Sequence, residues 1–274
     1  MKKTSLYLLF LLFNFQVCIS ASTEAFLDQL KYAFEKKTTY PLISTQQASF
    51  NINRAYKLQK EWVEFLSKKQ NKIGYKASLT SAESQKKFNI NTPVSGVLFN
   101  TNIYQNFSII SLSDFKKPFL EIELGFYLKQ NISTPIKSKE KLRSMISKIT
   151  CIAEIPDLNV ADSNKLTSAD LIAVNAASKG ILLGEEIPYQ SKKDVLNIEL
   201  IQNNKTVYSQ SHKELLNTQI DNLFWLVNHL VSLGYTINKN ELLITGSLNK
   251  AIPLKKGKYI INYDDISSIV FQTK

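Results

Sequence analysis

The sequence predicts an α+β protein, a layer of amphipathic helices ahead of a strand-rich body. Three observations predict it. Apolar residues recur at three- and four-residue steps early in the chain, at Ala25, Phe26, Leu30 and Phe34, then at Ala55, Leu58, Trp62, Phe65 and Leu66. From Ile73 the texture changes to short apolar runs separated by turns, which is the pattern of strands. One more helical stripe, Leu223, Leu226, Val227 and Leu230, lies far along the chain and stops before Gly234.

The first residues read as a targeting segment. Lys2 and Lys3 precede an apolar stretch, Leu6 to Phe15, and small residues follow at Ser20, Ala21 and Ser22. That order fits a secretory signal peptide over residues 1–20, and the apolar run is too short for a membrane span. The expected product is exported, periplasmic or secreted, with no stable membrane span once the signal is removed. Cys151 is then the one cysteine left, so no internal disulfide is expected.

Residues 21–88 form the expected helical layer, broken at Tyr40-Pro41 and resuming from Gln46 through Leu66. Residues 89–274 form the expected core. Its strands are read at 97–99, 107–111, 119–128, 194–201, 242–246 and 258–262, with one long helix from Gln219 to Leu233. No repeat, low-complexity tract or linker interrupts it.

Composition narrows the function classes. A chain of 274 residues with 44% hydrophobic and 21% charged residues buries a real core, which excludes wholesale disorder. The net charge is +11, yet the lysines are dispersed, with no basic run of five or more. The expected meaning is a solvated basic surface that favours small anionic substrates, with no nucleic-acid partner. Only His212 and His229 are present, and neither HExxH zinc spacing, a glycine-rich phosphate loop nor a G-x-S-x-G elbow occurs.

The chemistry concentrates in Phe119 to Tyr127, FLEIELGFY. In a strand Glu121 and Glu123 share one face, while Leu120, Ile122 and Leu124 bury on the other. Two like charges side by side in an apolar strand call for something positive, and a hard divalent cation takes such oxygen ligands. The same two residues also suit a half-exposed strand with glutamates facing solvent.

Further segments stand in order around this strand. They are GYKASLTS from Gly74, NINTPVSGVLF from Asn89, AEIPD from Ala153, NAASKGILLG from Asn175, WLVNHL from Trp225 and ITGSLNKAIPL from Ile244. In type and order they resemble the 2-keto-4-pentenoate hydratase and 4-oxalocrotonate decarboxylase group of the fumarylacetoacetate hydrolase superfamily, from about Pro41 to Phe271. The resemblance implies a mixed, rolled β-sheet core under the helical layer. It implies Mg²⁺ or Mn²⁺ held by Glu121, Glu123 and Glu154, Lys76 as the catalytic lysine, and Ser178 and Ser247 lining a substrate pocket. A lysine near a cation is expected to have a lowered pKa, suited to proton transfer. The implied activity is a lyase, hydratase or decarboxylase, acting on a small 2-keto acid by enolisation in a homo-oligomer. Three departures accompany the matches. Val94 stands where the group carries an acidic residue, and Lys179 and Lys250 are added near the expected pocket. They leave a second reading: a catalytically impaired relative that binds an anionic small molecule or serves a structural role.

Overall fold

The computed structural model describes residues 23–189, 195–264 and 266–274. The signal peptide expected over residues 1–20 lies outside them. Among the described residues no helix is long and apolar enough to cross a membrane.

The early helical stripes become α1 (23–35), a single turn α2 (Ile43–Gln46) and α3 (Ile52–Ser67). Then follow β1 (Lys72–Ser78), α4 (Ala82–Lys87), β2 (Val94–Phe99), β3 (Ile103–Tyr104), β4 (Ile109–Ile110) and β5 (Phe119–Leu128). The middle of the chain supplies α5 (Lys139–Met145), β6 (Ile146–Ile155), α6 (Ser168–Ala173), β7 (Gly180–Pro188), β8 (Val195–Gln202) and β9 (Lys205–Lys213). It closes with α7 (Leu215–Ser232), β10 (Leu242–Ile244), β11 (Ile252–Pro253), β12 (Gly257–Tyr263) and β13 (Ser267–Thr273).

Two compact units emerge. The first joins the described part of Met1–Leu66 to Val160–Val174, and the second joins Ser67–Asn159 to Asn175–Lys274. Along the early chain the division between the two units falls at Leu66 and Ser67. The reason is local: β1 is a strand paired with β2 and β10, so residues 72–78 go with the sheet. In the first unit, α3 buries Ala55, Leu58, Trp62, Val63 and Leu66, and Trp62 meets Phe34 edge-on at 5.7 Å and stacks on Phe65 at 5.3 Å. Buried Asp170 closes a capping box with Thr167 and also accepts from the Ser44 backbone N–H at 2.9 Å, fixing α6 to α2.

The second unit carries two mixed sheets. One has the order β2-β1-β10-β5-β6-β7-β3, with β11 added beside β5. The other runs β4-β13-β12-β8-β9. Within the first, β1 and β10 are parallel while β10, β5, β6 and β7 pair antiparallel. Leu120, Ile122 and Leu124 are fully buried on the face of β5 away from the glutamates, each contributing about 1.5–3 kcal/mol.

Several expected elements change length for visible reasons. The strand read at 107–111 shrinks to Ile109–Ile110, because Phe107 takes φ 67° and breaks the extended run. The strand read at 242–246 stops at Ile244, because Gly246 turns at φ 97°. α7 starts four residues before Gln219, where Glu214 caps it in a left-handed conformation. β9 escapes the sequence pattern altogether. Its residues KTVYSQSHK show no apolar alternation, and it forms as the edge partner of β8 through a tight turn at left-handed Asn203 and Asn204.

Candidate metal centre

Strand alternation puts Glu121 and Glu123 on one face of β5, and the register then does the rest. Glu121 is the direct cross-strand partner of Glu154 on β6, and Glu123 is that of Ile152. Opposite residues in an antiparallel pair have Cβ atoms roughly 4.5–5.5 Å apart. Three carboxylates thus converge, one oxygen of each lying within 4.8 Å of the others. Glu123 and Glu154 are buried, and Glu121 is partly exposed.

Lys76, fully buried on β1, reaches the cluster from two strands away. Its Nζ forms an ion pair with Glu154 Oε1 and donates to the Ala176 carbonyl at 3.3 Å. Glu123 Oε2 accepts the Gly246 backbone N–H at 2.8 Å. Glu154 Oε2 is buried and has no hydrogen-bond partner. Leaving a buried carboxylate oxygen unpaired costs several kcal/mol, a cost that a positive partner at this position would offset.

The electrostatics agree. Burial, reinforced by Glu154, pushes the Glu121 carboxyl up to about 7, against the opposing pull of Lys76. Burial and the two neighbouring carboxylates push Glu123 well above the ordinary range as well. Burial alone pulls Lys76 down, but Glu154, Glu121 and Glu123 together outweigh it and hold the ammonium above the usual lysine range. The lowered lysine expected beside a cation is therefore not what the carboxylates by themselves produce. Fully ionised, three carboxylates and one ammonium leave two negative charges, the complement of a divalent ion. The donor set is all oxygen, which suits Mg²⁺ or Mn²⁺. Glu121, Glu123 and Glu154 fit such an ion on these grounds.

A left-handed turn aims the Ala176 carbonyl. Asn175, Ala176 and Ala177 take φ of 59°, 54° and 54° in succession. Non-glycine residues there are strained by roughly 1–2 kcal/mol each. The Asn175 side chain holds the turn by bonding both backbone groups of Val97, accepting at 2.7 Å and donating at 2.8 Å. Gly96 makes the approach possible, since a Cβ there would sit 2.9 Å from the Asn175 carbonyl oxygen.

The other predicted residues lie in the surrounding loops. Ser178 follows the left-handed turn, half-buried, its N–H donating to the Asn175 carbonyl at 3.1 Å. Ser247 is half-buried and its hydroxyl donates to the Asn249 carbonyl at 2.8 Å. Neither is brought to the carboxylates by any of these bonds. Val94 is buried at the start of β2. Lys250 points outward and pairs with exposed Glu83 at 2.9 Å, and Lys179 is exposed. Sequence reading missed Asn249, whose Oδ1 accepts the N–H of Ile122, the residue between the two β5 glutamates, at 2.7 Å. It also missed Tyr263, whose hydroxyl donates to the Ile152 carbonyl at 2.6 Å and so reaches the carboxylate-bearing strands from the second sheet. The ITGSLNKAIPL segment, with Ser247 and Lys250, points to this loop without singling out Asn249; Tyr263 carries no such signal.

No protein-family model matches the chain. Among curated proteins it is 24% identical over 251 residues to the 2-oxo-hept-4-ene-1,7-dioate hydratase of Escherichia coli, covering 88% of this chain and 94% of that one. It is 25% identical over 210 residues to the 2-keto-4-pentenoate hydratase of Paraburkholderia xenovorans (strain LB400), covering 76% and 78%. Among solved structures, 4-oxalocrotonate decarboxylase from Pseudomonas putida G7, complexed with magnesium and adipate, superposes with a TM-score of 0.85 at 18% identity, over 93% of this chain and 98% of that one. The chain is similar in sequence to the hydratase and decarboxylase group, and its fold is the α+β fold of the fumarylacetoacetate hydrolase superfamily.

Proposed function

We propose that this protein is a divalent-metal-dependent lyase, a hydratase or decarboxylase that acts on a small 2-keto acid by enolisation. The observation that carries the reading is the buried, unpartnered Glu154 Oε2 beside Glu121 and Glu123. Similarity to hydratases, and to a decarboxylase structure holding magnesium and adipate, supports it.

Glu121, Glu123 and Glu154 would hold Mg²⁺ or Mn²⁺, which would supply Lewis acidity for enolisation of a 2-keto acid. Partly exposed Glu121 is the ligand nearest solvent, so substrate enters on its side. Lys76, fixed between Glu154 and the Ala176 carbonyl, presents a proton at Nζ and is the group that moves it to or from the substrate. Ser178 and Ser247 line the substrate side. Val94 has no proton to give and no oxygen to orient water.

That last residue favours a second reading, a relative that binds the 2-keto acid and enolises it slowly without hydrating it. One experiment separates the two. Purified protein with Mg²⁺ is given pyruvate in D₂O and, separately, 2-hydroxypenta-2,4-dienoate, each followed by NMR. Exchange of the C3 protons together with hydration supports the lyase. Exchange without hydration supports the second reading over the hydratase, and incubation with 4-oxalocrotonate that releases no CO₂ excludes the decarboxylase. No metal-dependent exchange with any 2-keto acid tried overturns both.

A further inference from the structure

The metal ligands are held by more than their own strands. Glu123 Oε2 is committed to the Gly246 N–H at 2.8 Å, which fixes how the carboxylate is turned. What aims that N–H lies one residue earlier. Thr245 is fully buried, and its backbone N–H donates to the Leu124 carbonyl at 3.2 Å. Its hydroxyl donates to Gln219 Oε1 at 2.5 Å, and its carbonyl accepts the Asn222 side-chain amide at 2.9 Å. Gln219, itself buried, and Asn222 lie one turn apart on α7, so the helix grips Thr245 at two points. On the far side, Gly246 at φ 97° is packed so closely that a Cβ would meet Thr80 Oγ1 at 2.3 Å.

From this geometry we infer that Gln219 and Thr245 are positioning residues for the metal ligand Glu123, so that α7 sets divalent-ion affinity without contacting the ion. The inference rests on the metal reading above. Its physical reason is that a carboxylate ligand binds tightly only when its rotamer is fixed beforehand, and here the fixing bond comes from a backbone N–H. That N–H can point at Glu123 only while the Thr245 peptide keeps its orientation. The Asn222 amide holds the carbonyl of this peptide, and the Thr245 hydroxyl ties the residue to α7 through Gln219 Oε1, with the Leu124 carbonyl 3.2 Å away as a weaker second acceptor. Losing an outer partner of this kind typically lowers metal affinity about 10–100-fold.

The test is titration calorimetry of the full chain with Mg²⁺ alone and Mn²⁺ alone, for wild type, Thr245→Val, Thr245→Ser and Glu154→Gln. Thr245→Val is expected to weaken binding about tenfold or more, and Thr245→Ser, which keeps the hydroxyl, to stay within about threefold of wild type. Equal binding by Thr245→Val and wild type overturns the inference, as does equal weakening by Val and Ser, which would show a packing role. If circular dichroism shows Thr245→Val unfolded, Gln219→Met, which removes the acceptor and keeps the volume, decides by the same titration. Failure of the metal reading looks different: wild type then binds no better than Glu154→Gln, and both proposals fall together.

Discussion

At the scale of single residues, the centre is a set of charges that do not balance without help. Lys76 satisfies one oxygen of Glu154, Gly246 satisfies one of Glu123, and Glu154 Oε2 is left with nothing. Replacing Glu154 by Gln is therefore expected to abolish the rise in melting temperature that Mg²⁺ brings; equal rises in mutant and wild type would remove the metal site. Lys76→Ala is expected to slow exchange of the C3 protons of pyruvate by about 10²–10⁴ while Mg²⁺ still binds, since a positioned proton carrier is worth about that much. Exchange that survives in the mutant would assign the proton to another group. Val94→Asp tests the proposal that an acidic group is missing at this position. It is expected to raise hydration of 2-hydroxypenta-2,4-dienoate and to lower stability by about 1–3 kcal/mol, because the position is buried.

At the scale of elements, two short irregular segments do what the strands cannot. The left-handed run Asn175 to Ala177 stores strain and uses it to bring a carbonyl to Lys76. Asn175→Ala breaks both bonds to Val97 and is expected to destabilise the protein by about 2–3 kcal/mol in urea unfolding. Ala177→Gly is expected to act in the opposite direction, raising stability by up to about 1 kcal/mol, because glycine takes φ 54° without the Cβ clash. A drop in stability for Ala177→Gly would show that the turn is not strained. The second segment, Gly246 to Asn249, runs beside β5 and bonds both backbone groups of Ile122, accepting from its N–H through Asn249 Oδ1 and donating to its carbonyl from the Leu248 N–H at 2.8 Å. It stiffens the backbone between the two glutamates.

At the scale of the whole molecule, the buried carboxylates link stability to pH and metal. The Glu121 pKa is raised from the ordinary 4.5 to about 7 in the metal-free fold, so between those values the folded chain binds more protons than the unfolded one. Its contribution is fully present below about pH 4.5 and is lost as pH rises through about 7. Metal competes for the same oxygens, so Mg²⁺ affinity is expected to climb over this window. Melting curves from pH 4.5 to 8 check both statements. The metal-free wild type should lose stability relative to Glu121→Gln as pH rises, and saturating Mg²⁺ should cancel the difference; parallel curves in all conditions would remove the linkage. We also propose export, read from Lys2, Lys3 and the apolar stretch after them. Protein from its native host is expected to begin between Ala21 and Thr23, and sequencing that finds Met1 retained would exclude it.

The sequence by itself determined that Glu121 and Glu123 share a face, because strand alternation is a local property needing no partner. It determined the helical stripes of α1 and α3 for the same reason, and resemblance of motifs pointed to Glu154 and Lys76. Only the tertiary structure decided that Glu121 stands opposite Glu154, that Lys76 answers Glu154 from 78 positions away, and that Gly246 answers Glu123 from 123 positions away. Such pairings are set by the register of strands distant in sequence, and a one-residue slip would turn the same side chains to the other face. Thr245, Gln219 and Asn222 were silent in the sequence because a polar residue on a helix or at a strand end reads as solvent-facing until the packing shows what covers it.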